Sequence, residues 1–104
     1  MSDLLWSDPV DARSDQFQYN KLRCCSYLYS PVQSEGFLKN NELNLIIRGH
    51  EVDSKGYKYQ MADNNRPLTL TVFSAPNYCD SYHNQATVAV LHVSVPLCRI
   101  TKSS

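Results

Sequence analysis

The chain has 104 residues, room for one modest domain, and its ten basic side chains balance ten acidic ones. That balance excludes a long-range field able to gather nucleic acid or an anionic membrane. The longest apolar stretch, Ala86 to Leu91 with Thr87 inside it, is far short of a membrane span, and an N-terminus carrying Asp3 and Asp8 without a basic start has no secretory pattern.

In chain order, residues 7–20 are polar, with Pro9 and several Asp and Ser, and read as a loop. Residues 22–29 alternate Leu22, Cys24, Ser26 and Leu28 with Arg23, Cys25, Tyr27 and Tyr29, which predicts a strand. Ser30 as N-cap, Pro31 at the first helical position and Gln33 closing a capping box predict a helix to about Asn40 or Asn41. Gly36 inside it costs roughly 1 kcal/mol against alanine, which the packing of Phe37 and Leu38 must offset. Leu43 to Ile47 is a near-continuous apolar run, predicting a strand buried on both faces and ending at Arg48-Gly49-His50-Glu51. Asp53 to Gly56 reads as a turn, Tyr57 to Met61 as a strand and Asp63 to Pro67 as a loop. Leu68 to Phe73 and Ala86 to Val95 are the clearest strands, and Leu97 to Thr101 reads as a last one. Between them Ser74 to Cys79 is turn chemistry that displays Tyr78 and Cys79 at a strand end.

A neutral imidazole at His50 suits a metal ion or a proton shuttle, and equally a hydrogen-bonded structural histidine. His83 and His92 share no ligand spacing with it. Arg23 offers a fork for phosphate or carboxylate, although by position alone it reads as a surface or ion-pair arginine. Asp8, before Pro9, reads as a turn residue rather than an acid, and Trp6 as core or pocket wall. Cysteines 24, 25, 79 and 98 form no C-x-x-C pair, which argues against a zinc finger. Adjacent Cys24 and Cys25 would face opposite sides of a strand, which disfavours a bond between them and leaves a reducing, cytoplasmic setting as the default. Cys79 has no sequence-adjacent cation to activate it.

Five segments in order resemble the metal-dependent protein serine/threonine phosphatases. They are Leu4-Leu5-Trp6-Ser7-Asp8-Pro9, Arg23-Cys24-Cys25-Ser26-Tyr27, Phe37-Leu38 with Asn40-Asn41, Ile47-Arg48-Gly49-His50-Glu51 with Gly56-Tyr57, and Ser74 to Cys79. The likeness runs from residue 3 to about residue 91. Met1 to Pro9, Arg23 to Ser30 and Asn40-Asn41 are most like the calcineurin (phosphatase 2B) branch, whereas Cys79-Asp80 and His50-Glu51-Val52 look equally like branches carrying repeat or calcium-binding extensions. It implies an α+β or α/β fold, the C-terminal part of a metallophosphoesterase β-sandwich of two mixed sheets flanked by helices. It implies hydrolysis of phosphoserine and phosphothreonine proteins, in which two metal ions (iron/zinc or manganese) hold the phosphoryl oxygens and a metal-bound water attacks phosphorus in line. On this chain His50 matches a metal ligand, Arg23 a phosphate-clamping arginine, Tyr78 a substrate-rim tyrosine, and Asp8 lies on a loop near the site. A regulatory subunit and a cytoplasmic location are part of the same expectation. No nucleic acid, no membrane and no other cofactor are expected.

The sequence also departs from the family. The motifs Gly-Asp-x-His-Gly, Gly-Asp-x-x-Asp-Arg-Gly and Gly-Asn-His-Glu do not occur in it, and Met1 falls at an interior point of the family pattern. The expectation is therefore that residues 1–104 are an incomplete C-terminal portion of the catalytic domain. Such a chain is expected to be inactive and weakly stable alone, without a calmodulin-binding tail. The alternative is a non-catalytic remnant that binds a partner or does nothing. Cys24 stands where the family has glycine, so a β-carbon is expected to crowd the turn beside Arg23.

Overall fold

The structure, a computed structural model, describes residues 2–94 and 97–103. They form two compact units. The first comprises the residues up to His50 with Tyr59–Thr71, and the second comprises Glu51–Lys58 with the residues from Val72 onward.

The first unit opens with a short helix α1 (Ser2–Trp6), which the sequence reading did not predict, followed by β1 (Asp8–Pro9), β2 (Gln18–Tyr19) and β3 (Tyr27–Tyr29). These strands make a mixed sheet in the order β1-β3-β2, in which β1 runs parallel to β3 and β2 antiparallel. The 7–20 segment is thus not wholly loop, because both its ends are drawn into pairing with β3. The expected strand over 22–29 shrinks to its last three residues. Cys24 and Ser26 take φ of 54° and 60°, left-handed values that break an extended run, and Arg23 sits in a turn. The alternation of side chains across 22–26 was a coincidence of composition.

Cys24 is therefore an L-residue in a conformation that glycine adopts freely. Its thiol reaches the Lys21 carbonyl, at 3.5 Å. Cys24→Gly is expected to stabilise the unit by about 0.5–1 kcal/mol, the left-handed penalty relieved less the backbone entropy of glycine. A urea midpoint that fails to rise would count against this.

Helix α2 (Pro31–Asn40) is the helix expected, and its start follows the predicted chemistry. The Val32 amide donates to Ser30 Oγ (3.2 Å), and the Ser30 amide donates to Gln33 Oε1 (2.6 Å). The Ser30 hydroxyl and the Gln33 amide also both donate to the Ser14 carbonyl, tying the incoming loop to the cap. The helix closes when the Leu43 amide donates to the Leu38 carbonyl at 2.8 Å.

Strands β4 (Ile46–Arg48), β5 (Tyr57–Met61) and β6 (Pro67–Val72) form a second sheet in the order β4-β6-β5, with β4 parallel to β6 and Arg48 opposite Thr71. Here the sequence reading was wrong about burial. β4 is an edge strand among the described residues, Leu43 is left outside it, and Ile47 is 45% exposed rather than buried on both faces. The core is small: Leu38, Ala62 and Leu68 cluster with Ile46 packed against them, and Leu70 is fully buried nearby in the same unit. A buried leucine contributes about 2 kcal/mol, so this core alone is slight.

Much of the remaining interior is polar and paired. Gln60, 3% exposed, accepts from Ser34 Oγ (2.5 Å) and Thr69 Oγ1 (3.0 Å) through Oε1. Its Nε2 donates to the Val10 and Tyr29 carbonyls, each at 2.9 Å. One amide thus joins β5 and β6 to the ends of β1 and β3, one of the links between the first sheet and the second.

In the second unit Asp53 to Gly56 turns as expected, with the Gly56 amide donating to the Asp53 carbonyl at 2.9 Å. Strands β7 (Val88–Ser94) and β8 (Leu97–Ser103) pair antiparallel, Val88 opposite Ser103 and Ser94 opposite Leu97. The end expected for β7 at Val95 lies outside the described residues. The Ser74-to-Cys79 turn runs into a single 3-10 turn, Tyr78–Asp80, with Asn77 at φ 46° and Cys79 at φ 56°. Buried Asn84 ties this loop together, accepting from the Tyr78 amide (2.9 Å) and donating to the Ala75 carbonyl (2.8 Å).

Candidate active site

Within the first unit, three of the four residues singled out from the sequence converge. Asp8 enters from β1, Arg23 from the turn before β3, and His50 from just beyond β4. Asp8 is 8% exposed, so the turn-residue reading of it was wrong. Its backbone pairs in parallel with Leu28, which carries the carboxylate inward.

Two arginines share that carboxylate. Arg23 forks onto it, Nε to Oδ2 at 2.5 Å and Nη2 to Oδ1 at 2.9 Å. Arg48 Nη2 reaches Oδ1 at 2.7 Å, and Asn20 Nδ2 donates to Oδ2 at 2.8 Å. Burial alone would push the Asp8 carboxyl up. The hydrogen bonds from Arg23, Asn20 and Arg48 outweigh it and hold the group below its ordinary value of 3.8. Arg48 is itself held by the Ser7 carbonyl (3.1 Å) and by Thr71 Oγ1 on the paired strand (3.3 Å).

The same fork fixes His50. Arg23 Nη2 also donates to the His50 carbonyl, and Arg23 Cζ lies 5.5 Å from the centre of the Trp6 ring, a cation-π contact. The His50 ring packs on Trp6 at 4.4 Å between centroids, and its Nδ1 is 3.0 Å from the Leu5 carbonyl. A carbonyl only accepts, so Nδ1 carries a proton, and in the neutral ring the lone pair is on Nε2. His50 itself has φ of 75°, a left-handed turn out of β4.

Tyr78 belongs to the second unit, where it is 44% exposed and packs edge-on against Phe73 (5.1 Å) and beside Tyr82 (6.0 Å). Cys79 and His83 are exposed on the same loop, and His92 is exposed on β7. Cys24, Cys25 and Cys79 are free thiols.

Asn20 and Arg48 were not singled out as site residues from the sequence. Asn20 lies in a polar stretch with nothing to distinguish it. The signal for Arg48 was its place at the end of an apolar strand two residues before His50.

Among the described residues no three His, Cys, Asp or Glu side chains are grouped so as to hold a metal ion. The Asp8 carboxylate is committed to two guanidinium groups. These residues therefore do not fit a two-metal centre by themselves. Two guanidinium groups instead share the one Asp8 carboxylate beside His50. Among the described residues no helix is long and apolar enough to cross a membrane.

No family model matches the sequence. Curated proteins do. The chain is 46% identical to the serine/threonine-protein phosphatase 2B catalytic subunit A1 of Saccharomyces cerevisiae, in an alignment covering 85% of this chain and 18% of that protein. It is 41% identical to the human serine/threonine-protein phosphatase 5, covering 84% of this chain and 16% of that protein. Among solved structures, a protein serine/threonine phosphatase from Saccharomyces cerevisiae with similarity to human phosphatase PP5 superposes with a TM-score of 0.69 at 35% identity. That match covers 85% of this chain and 25% of the other. The chain belongs to the serine/threonine protein phosphatase family and corresponds to the C-terminal part of its catalytic domain, an incomplete metallophosphoesterase fold of mixed sheets and one main helix. Within the family its likeness to the phosphatase 2B catalytic subunit exceeds that to phosphatase 5, 46% against 41%. It spans less than a fifth of the length of either relative.

Proposed function

We propose that this chain supplies the phosphate-binding and substrate-rim part of a protein serine/threonine phosphatase site, and that by itself it does not turn over phosphomonoesters. In this reading Arg23 meets the phosphoryl oxygens, Asp8 sets its orientation, His50 offers Nε2 to one ion of the family's metal pair, and Tyr78 stands at the substrate rim. Phosphoserine and phosphothreonine proteins are the substrate class, and the cytoplasm is the proposed location. The other metal ligands must come from sequence beyond these 104 residues.

The observation that carries this reading is the Asp8–Arg23–Arg48 cluster with Arg23 fixed against the His50 backbone. A guanidinium held by a fork loses little orientational freedom when an anion arrives, which is what a clamp requires. The second reading is a non-catalytic remnant that binds a partner or does nothing.

The test is an assay of the purified chain on p-nitrophenyl phosphate with added manganese, beside a His50→Ala variant. No turnover above that variant is the expected result, and turnover above it would overturn the proposal of inactivity. Turnover gained when a polypeptide bearing the three missing motifs is supplied, and lost with His50→Ala, would decide for the phosphatase reading over the remnant.

A further inference from the structure

We propose that Arg48 is a positioning residue of the oxyanion site. It prevents Asp8 from neutralising Arg23 and so leaves the cluster its net positive charge. The inference rests on the phosphate-binding reading of Arg23 given above and extends it to Arg48.

The charges decide the matter. Asp8 carries one negative charge, and its pair with Arg23 alone would be a neutral, closed ion pair with little attraction for a dianion. Arg48 places a second guanidinium on Oδ1, the oxygen that also receives Arg23 Nη2, at 2.7 and 2.9 Å. Asn20 adds a neutral donor on Oδ2. One carboxylate divided between two guanidinium groups binds each less completely, and the sum of the three is +1. Both arginine side chains are mostly buried, 18% exposed for Arg23 and 13% for Arg48, so solvent screens this charge only in part.

Arg48 is built to stay in place. It lies on β4, in register with Thr71 of β6, and its guanidinium is held by Thr71 Oγ1 and the Ser7 carbonyl. Ser7 immediately precedes Asp8, so Arg48 grips both the carboxylate and the backbone that presents it. Arg23 reaches the same carboxylate from a turn. The division of labour is a fixed cation on a strand and a displayed cation on a turn, with the carboxylate between them.

The test is binding of inorganic phosphate to the full chain near pH 8, followed by amide chemical shifts, in the wild type and in variants. Phosphate is expected to shift the amides of residues 23 and 50, and Arg23→Met is expected to abolish the response. Arg48→Gln keeps hydrogen-bond donors and removes the charge, and it is expected to weaken phosphate about tenfold. Arg48→Lys keeps the charge and is expected to remain within about threefold of the wild type. The double variant Asp8→Asn/Arg48→Gln again carries a net +1 from Arg23 and is expected to recover most of the affinity. That recovery is something a purely structural role for Arg48 does not produce. If Arg48→Gln fails to fold because Asp8 is left short of a partner, the double variant removes that carboxylate and carries the test. No phosphate response in the wild type would overturn the phosphate-binding reading and this inference with it. A response that requires Arg23 but is indifferent to Arg48→Gln, or a double variant as weak as Arg48→Gln, would overturn this inference alone.

Discussion

Asp8→Ala is expected to destabilise the chain by about 3–5 kcal/mol, the usual result of removing one partner from a buried ion pair. Two guanidinium groups and the Asn20 amide would lose their acceptor together, and Arg23 and Arg48 would face each other as mostly buried like charges. A small domain has only about 5–15 kcal/mol of net stability, so the variant is expected to be close to unfolded at room temperature. The pH dependence has a definite sign. The folded-state pKa of Asp8 is lowered from 3.8, so its contribution is fully present above that value and is lost as pH falls through the folded pKa. Urea midpoints of wild type and Asp8→Ala should therefore differ widely at pH 7 and draw together in acid below pH 3.8. A difference under about 1 kcal/mol at pH 7, the size of an exposed ion pair, would contradict the buried-cluster account.

Gly56→Ala is expected to cost about 3 kcal/mol, from two causes that add. Gly56 has φ of +79°, where an L-residue is strained, and it is the donor that closes the Asp53 turn. A β-carbon there would also lie 2.6 Å from the Gln85 carbonyl oxygen, 2.6 Å from Thr87 Oγ1 and 2.9 Å from the Ala86 carbonyl carbon. Two of these atoms are backbone and cannot swing away. The third is held by the Lys55 carbonyl at 2.9 Å. Relief would have to come from parting the 53–56 turn from residues 85–87, and with it the Gln85-to-Ser54 backbone hydrogen bond. A thermal midpoint within a degree or two of the wild type would show that the second unit gives way more readily than this geometry allows.

How far the sequence could be read follows from how local each signal is. Helix α2 was legible because Ser30, Pro31 and Gln33 satisfy one another within four residues, and the Tyr57–Met61 strand because Gly56 and Asp63 bracket it. The supposed strand over 22–26 was misread because alternation says nothing of φ, and Cys24 and Ser26 are left-handed for reasons that lie in the chain's return to Asp8 and Asp3; Ser26 Oγ donates to Asp3 Oδ1 at 2.9 Å. Helix α1 escaped because five residues carry too little periodicity to register. The site was legible only as a set of types. Arg23, His50 and Tyr78 were picked out through family motifs, whereas the burial of Asp8 depends on partners 12, 15 and 40 residues away, which no local pattern can announce.

The Gln60 amide, which joins β5 and β6 to the carbonyls of Val10 and Tyr29, bears on how this unit breathes. Asp8 rides on one sheet and Arg48 on the other, so either sheet opening alone would pull the carboxylate from one of its cations. With Gln60 bridging the sheets, an excursion of β1 or β3 must also disturb β5 and β6. The oxyanion cluster is thus not a separately melting patch. It is expected to open with the unit as a whole, and hydrogen exchange of the amides flanking Asp8 and Arg48 is expected to report one shared free energy.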